Sequence, residues 1–331
     1  MGLTYNDISA VTVNYVSNDF VDNYFKVSPT FVKVWKSGSM SKPFPGGNQI
    51  QVPFQYAPMK AGWFPPGGTF DISYVETQTA MTFNVKYAYA NVSVQGTQLP
   101  LNRGEAAVMN FLEPKVVNAE QALAQLLVQG FFADGQGTVT PLIAIDGILA
   151  GYDDGTNYPS YGGITRSAIG VGASTGINGY YFGNVTGSPA AAANWPFSLQ
   201  QLQTAFGQAT FGPNQPNFIA TTQTIYNSFW NKMLPMQRTE AIDPDLQGAG
   251  FRSFKFNGMS VVVDQYCPAG YIFGMNTDYM EAYVSDDPRF GFGFTGFKEL
   301  PNSVDMAGQT LYAGNIVVNA PRLGFILANC T

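Results

Sequence analysis

Three acidic pairs are the first places in this chain where catalysis could sit: Asp153-Asp154, Asp243-Pro244-Asp245 and Asp286-Asp287. Glycoside hydrolysis needs two carboxylates flanking a bond, one acting as acid and the other as base or nucleophile. Each of these pairs lies beside Gly or Pro, where Asp forms turns by accepting from its own backbone two residues on. They read as turns. Gly170-Val171-Gly172-Ala173-Ser174-Thr175-Gly176 approaches a dinucleotide loop, but it is one residue too long and lacks a clear strand–helix–strand frame. Histidine, the commonest general base and metal ligand, is absent from all 331 residues. Cys267 and Cys330 have no zinc spacing and read as two buried thiols. No enzyme, metal or cofactor is expected.

The elements around these residues point to surface and packing instead. Only 11% of residues are charged, against about 25% in ordinary globular proteins, while 15% are aromatic. A free surface is kept soluble by charge, so few charges imply a surface covered by neighbours. Met1–Asp7 shows no basic stretch leading into an apolar one, so no signal peptide is expected, and the sequons at Asn91 and Asn184 carry no meaning without secretion. No run of about 18 apolar residues predicts a membrane helix.

Residues 1–48 are polar and irregular yet carry Tyr5, Tyr15, Phe20, Tyr24, Phe25, Phe31 and Trp35, which predicts an arm needing a partner surface. Ile50, Val52, Phe54 and Tyr56 alternate with polar residues, as do Met81, Phe83, Val85, Tyr87 and Tyr89. The phase then slips to Val92 and Val94, predicting a bulge near Ala90-Asn91. Residues 49–97 thus form a long hairpin around the turn-rich tip 58–68, and a lone two-stranded ribbon is marginal in water. It is expected to lie on another subunit more than on its own. From Gly104 the period is helical: Pro114 is placed to end one helix and open the next, and Val116, Ala119, Leu123, Leu126 and Leu127 form an apolar stripe. Further on, the pattern predicts helices from Ser198 to Gly207 and Thr224 to Leu234. Strands are predicted over Pro216–Thr222, Phe254–Phe256, Ser260–Asp264 and Tyr271–Met275, with a final pair at Leu311–Asn319 and Gly324–Ala328.

This order of elements, with certain local patterns, resembles the major capsid proteins of tailed bacteriophages, in a branch that assembles without cleaving its coat chain. The patterns are Asp134-Gly135-Gln136-Gly137 after the helix; Gly162-Gly163-Ile164-Thr165-Arg166-Ser167; Asn217-Phe218-Ile219-Ala220-Thr221 before a helix bearing Tyr226; Asn257-Gly258-Met259-Ser260-Val261-Val262-Val263-Asp264; Cys267-Pro268-Ala269-Gly270; and Asn276-Thr277-Asp278-Tyr279. The likeness spans residues 48–328, and shared order carries it rather than any single motif.

The resemblance implies an α+β capsid fold with an N-terminal arm (1–48), an extended hairpin or E-loop (49–97), a peripheral domain with a spine helix (98–150 and 303–331) and an axial domain (151–302). It implies a structural protein that self-assembles as hexamers and pentamers into an icosahedral shell around double-stranded DNA. Such a shell is found in the virion and is put together in the host bacterial cytoplasm. Its partners would be copies of itself, a portal protein and, where a phage uses them, scaffolding or decoration proteins; no membrane is involved. Inter-subunit contact candidates are Trp35, Phe54, Tyr56, Lys60, Trp63, Phe64, Phe83 and Arg166. Some capsids of this fold fuse a hairpin lysine to a neighbour's asparagine; no partner for Lys60 stands out, and a solvated lysine is expected.

The charge distribution fits a shell. Residues 1–97 hold six lysines against five acids, whereas 98–150 hold two basic and five acidic residues and 151–331 eight and twelve. A +1 front half can therefore lie on an acidic back half, of the same chain or of a neighbour; if it docks on neighbours, Lys33, Lys36, Lys42 and Lys60 pair mostly across subunit boundaries. Strong DNA binding needs clustered Lys and Arg, so only non-specific contact with packaged DNA is expected. Two other classes are an outer-membrane β-barrel, from the alternation, aromatics and acidity, and a secreted carbohydrate-active enzyme using Trp63, Trp195 or Trp230 as stacking platforms with the acidic pairs. The expected lack of a signal peptide counts against both, and the internal amphipathic helix against the barrel.

Overall fold

The computed structural model describes residues 28–36, 41–44, 46–55, 59–96, 105–135, 143–153, 157–166, 184–186, 196–233, 253–299, 301 and 304–330. The arm residues before Ser28, Tyr56, Asp154, Asp243–Asp245 and the Gly170–Gly176 loop lie outside them.

A thirteen-residue strand, β15 (Met306–Val318), organises the first sheet. It pairs antiparallel with β4 (Lys86–Val94) from Met306↔Val94 to Gly314↔Lys86. It also takes up β12 (Met280–Ser285), β13 (Gly291–Phe294) and β14 (Lys298–Glu299), while β1 (Ser41–Phe44) lies parallel to β12 at the edge. Gly314 allows this crowding, because a Cβ there would stand 2.1 Å from the Tyr283 carbonyl oxygen.

One helix, Glu105–Phe131, runs against this sheet; at 27 residues it is about 40 Å long. Pro114 lies inside it and does not divide it, contrary to the sequence expectation. A proline removes one hydrogen bond and at most kinks a helix whose later turns are held by packing, and here Val116, Ala119, Leu123, Ala124, Leu127, Val128 and Phe131 are all buried. Leu126, expected on that stripe, is 51% exposed; at about 100° per residue it falls just past the flank set by Ala119 and Leu123.

The second sheet has the order β7-β16-β11-β8-β10-β9, from Asn184–Thr186, Phe325–Leu327, Ile272–Met275, Phe218–Thr221, Met259–Val263 and Ser253–Phe256. The helix Gln223–Met233 carries the chain from β8 towards its parallel partner β10. With the helix Leu199–Ala209 it covers a second core of Leu202, Phe206, Ile219, Ile225, Phe229 and Phe325. The two final strands, expected as a pair, belong to different sheets. The single turn Pro321–Leu323 redirects the chain, and Gly324 lets it pass Tyr152, whose ring would lie 2.1 Å from an added Cβ.

The expected hairpin is shorter than 49–97. β2 (Gln49–Gln55) and β3 (Gln78–Asn84) pair as a two-stranded ribbon, and β4 is then part of the first sheet. The phase slip falls at Val85, between two ladders, not at Ala90-Asn91: Met81 and Phe83 are buried before it, Ala90, Val92 and Val94 after it. A residue that belongs to neither ladder resets the alternation without a bulge.

Candidate assembly surface

Two of the aspartates that suggested catalysis, Asp153 and Asp287, hold backbone turns. The Asp153 carboxylate is buried and accepts from the backbone N–H of Asn157 (3.1 Å) and Tyr158 (2.9 Å). Asp287 accepts from Arg289 N–H at 2.9 Å, closing a turn. Cys267 and Cys330 are free and buried, and desolvation pushes the Cys330 thiol up to about 12 and Cys267 well above its usual value. Among the described residues no three acidic or thiol groups converge as a metal site.

Three of the contact candidates lie inside their own subunit. Trp35 stacks on Phe31 with ring centres 4.6 Å apart and meets the edge of Phe131 at 6.2 Å. This follows from the arm: Ser28 caps the short helix Pro29–Phe31, accepting from Phe31 N–H at 3.2 Å, and the π-helical turn Val32–Lys36 continues it over the core. Phe83 meets Tyr161 edge-on at 5.2 Å. Arg166 is 1% exposed, its guanidinium donating to the carbonyls of Ala150, Gly151 and Asp153. Buried aromatic and Arg side chains are equally at home in a core and an interface, so their types alone did not separate the two. Phe54 is half-buried against the main core, and Tyr56 lies outside the described residues.

Two of the lysines expected at subunit boundaries, Lys42 and Lys60, are paired within the chain. Lys42 bonds Glu281, whose other oxygen accepts from the Tyr283 hydroxyl at 2.5 Å. Burial pulls the Glu281 carboxyl upward, but the Lys42 and Tyr283 hydrogen bonds outweigh it and hold the group below its usual range.

Lys60, Trp63 and Phe64 stand at the ribbon's far end, where residues 59–77 cross from β2 to β3. Lys60 Nζ donates to Asp71 Oδ2 at 2.6 Å and to the Ser73 hydroxyl, and Asp71 Oδ1 accepts from Ser73 N–H at 3.0 Å. These bonds, Lys60 first, lower the exposed Asp71 carboxyl to about 2. A turn at Pro65–Gly68, with Gly67 at φ +82°, and an edge-on Phe64–Phe70 contact at 4.7 Å complete the tip.

The knot shapes a surface that is apolar outside. Trp63 is fully exposed, and Met59, Phe64, Phe70, Ile72 and Tyr74 are each more than half exposed. Scattered exposed apolar residues are ordinary, but six between Met59 and Tyr74 gather large apolar side chains in one exposed stretch. Phe70, Ile72 and Tyr74 were missed in the sequence; their spacing of two, in a stretch that pairs with no strand, was the available signal.

No family model matches the chain, and no curated protein resembles it in sequence. Solved structures do resemble it. A chain of the capsid asymmetric unit of cyanophage A-1(L) superposes with a TM-score of 0.68 at 15% identity, covering 92% of this chain and 93% of that one. The capsid of a native GTA particle gives 0.57 at 10% identity over 91% of both chains. Mycobacterium phage Ogopogo gives 0.55 at 11% identity, again over 91% of both. The likeness runs along nearly the whole length of each chain, and the α+β fold of this chain is that of phage capsid proteins.

Proposed function

We propose that this chain is a major capsid protein, a structural subunit that assembles with copies of itself into a closed icosahedral shell around double-stranded DNA. The observation that supports the reading is the ribbon tip, where six large apolar side chains stand exposed among the described residues. In a closed shell each such projection lies on the next subunit, and symmetry satisfies all of them at once. The ribbon acts as the E-loop, the long helix and the β15 sheet as the peripheral domain, and the second sheet as the axial domain facing hexamer and pentamer centres. The contact residues proposed are Phe54, Lys60, Trp63 and Phe64, joined by Phe70, Ile72 and Tyr74. Portal, scaffolding or decoration proteins are partners of the assembled shell, in the virion and in the bacterial cytoplasm where it forms.

Expressing the full chain and imaging it by negative stain tests this. Shells or ring-shaped capsomers are the expected result, with Trp63→Ala, Ile72→Ala shifting the population to free chains. Monomers at every concentration would overturn it.

A further inference from the structure

The ribbon leaves the first sheet at Val85, and two contacts meet there from opposite elements. On one side, the Asn315 side chain, wholly buried on β15, donates to the Asn84 carbonyl at 2.9 Å and to Asp146 Oδ2 at 2.6 Å, while its oxygen accepts from Asp146 N–H at 2.9 Å. The loop bearing Asp146 is fixed in turn to the end of the long helix. Leu149 N–H donates to the Ala133 carbonyl at 3.2 Å, and a Cβ on Gly147 would stand 1.8 Å from that oxygen. On the other side, Thr82 N–H donates to the Gly162 carbonyl at 2.8 Å. Gly162 and Gly163, at φ +57° and +75°, form the tight turn between β5 (Ser160–Tyr161) and β6 (Ile164–Thr165). An added Cβ at Gly162 would lie 2.8 Å from Met81 Cβ. The Tyr161 hydroxyl, next to that turn, accepts from Val318 N–H at 3.0 Å, and buried Arg166 holds the turn's far end on three carbonyls.

Both contacts are thus referred to one strand: Asn315 and Val318 lie on β15. We propose that Asn315 and the Gly162–Gly163 turn are positioning groups that set the angle at which the ribbon leaves the sheet, with Val85 as the joint. β4 beyond the joint is held by its own ladder to β15 and does not depend on either group. A seven-residue ladder is about 23 Å long, so a rotation of about 10° at its base carries the far end about 4 Å. The inference concerns the single chain and does not rest on its assembling.

The test places spin labels at Thr69→Cys on the tip and Gln125→Cys on the long helix, both exposed positions. Cys267 and Cys330 are buried and leave the added thiols to react. Labelled chain is diluted into unlabelled chain, so pulsed-dipolar measurement reads intrachain distances only. One narrow distance is expected in the otherwise unchanged protein. Asn315→Ala should broaden the distribution about twofold, and Gly162→Ala, pushing on Met81, should shift its mean by about 3 Å. In both variants, hydrogen exchange along β4 and β15 should stay as protected as before. Unchanged distances in both variants would overturn the proposal. So would parallel loss of protection in β4, β15 and the ribbon, which would make Asn315 a residue of general stability. Gly162→Ala keeps the question decidable if Asn315→Ala does not fold.

Discussion

Asn315 and Asp146, 169 residues apart, are joined by two hydrogen bonds in opposite senses: the Asn315 amide donates to the carboxylate and its oxygen accepts the Asp146 backbone N–H. Burial raises the Asp146 carboxyl above its usual range, opposed by the Asn315 bond and by the charge of Lys86. A buried acid with a raised value is protonated more readily folded than unfolded. Stability conferred by that proton is therefore lost as pH rises from the ordinary carboxylate value of about 3.9 through the raised one. Asp146→Asn keeps an acceptor for Asn315 and removes the charge. Urea unfolding at mildly acidic and neutral pH should show the variant gaining stability over the parent as pH rises, and an equal difference at both would refute the assignment.

The long helix offers a contrast between neighbours. Leu123 is 1% exposed and Leu126 51%. Leu123→Ala should cost about 2–5 kcal/mol, and Leu126→Ala less than about 0.5 kcal/mol. Denaturant midpoints measure both, and similar losses would mean that Leu126 is covered by something other than solvent.

Ser28 links the arm to the second sheet. Its hydroxyl donates to the buried Asp264 carboxylate and accepts from Phe31 N–H, so it caps a helix and satisfies an acid at once. Ser28→Ala should cost about 1–3 kcal/mol, because Asp264 loses a donor in a buried place. Chemical denaturation reads it. A loss within error would mean that the Tyr266 N–H, 3.0 Å from Asp264 Oδ1, suffices.

Where the sequence was legible, the period and the buried face came from one element. The Gln49–Gln55 strand, the stripe through Val116 and Leu123, the Asp134-Gly135 turn and the two helices over the second sheet follow from local periodicity and turn residues, which a single segment carries. Where it was not, the deciding partner lay far along the chain. Nothing near Leu311 or Gly324 indicates that β15 and β16 enter different sheets, since that depends on β11 and on Tyr152. Trp35 reads the same whether it meets Phe131 of its own subunit or a neighbour. Asn315, an isolated polar residue in an apolar strand, acquires meaning only beside Asp146 and Asn84.

The ribbon tip separates folding from association. Trp63 and Ile72 are almost wholly exposed in the single chain, so removing them takes away no intrachain packing, and thermal midpoints should move by less than about 2 °C. At a subunit contact the same side chains become buried, and truncating a central Trp typically costs about 2 kcal/mol or more. Each tenfold change in association corresponds to about 1.4 kcal/mol. Trp63→Ala, Ile72→Ala should therefore raise the concentration at which assembly begins at least about tenfold, read by light scattering. Lys60→Gln acts differently: it unties Lys60 from Asp71 and Ser73 and loosens the tip without removing its apolar groups. It should slow assembly less than the double variant does. Equal assembly of all three chains would place the contact elsewhere and leave the tip without a role in association.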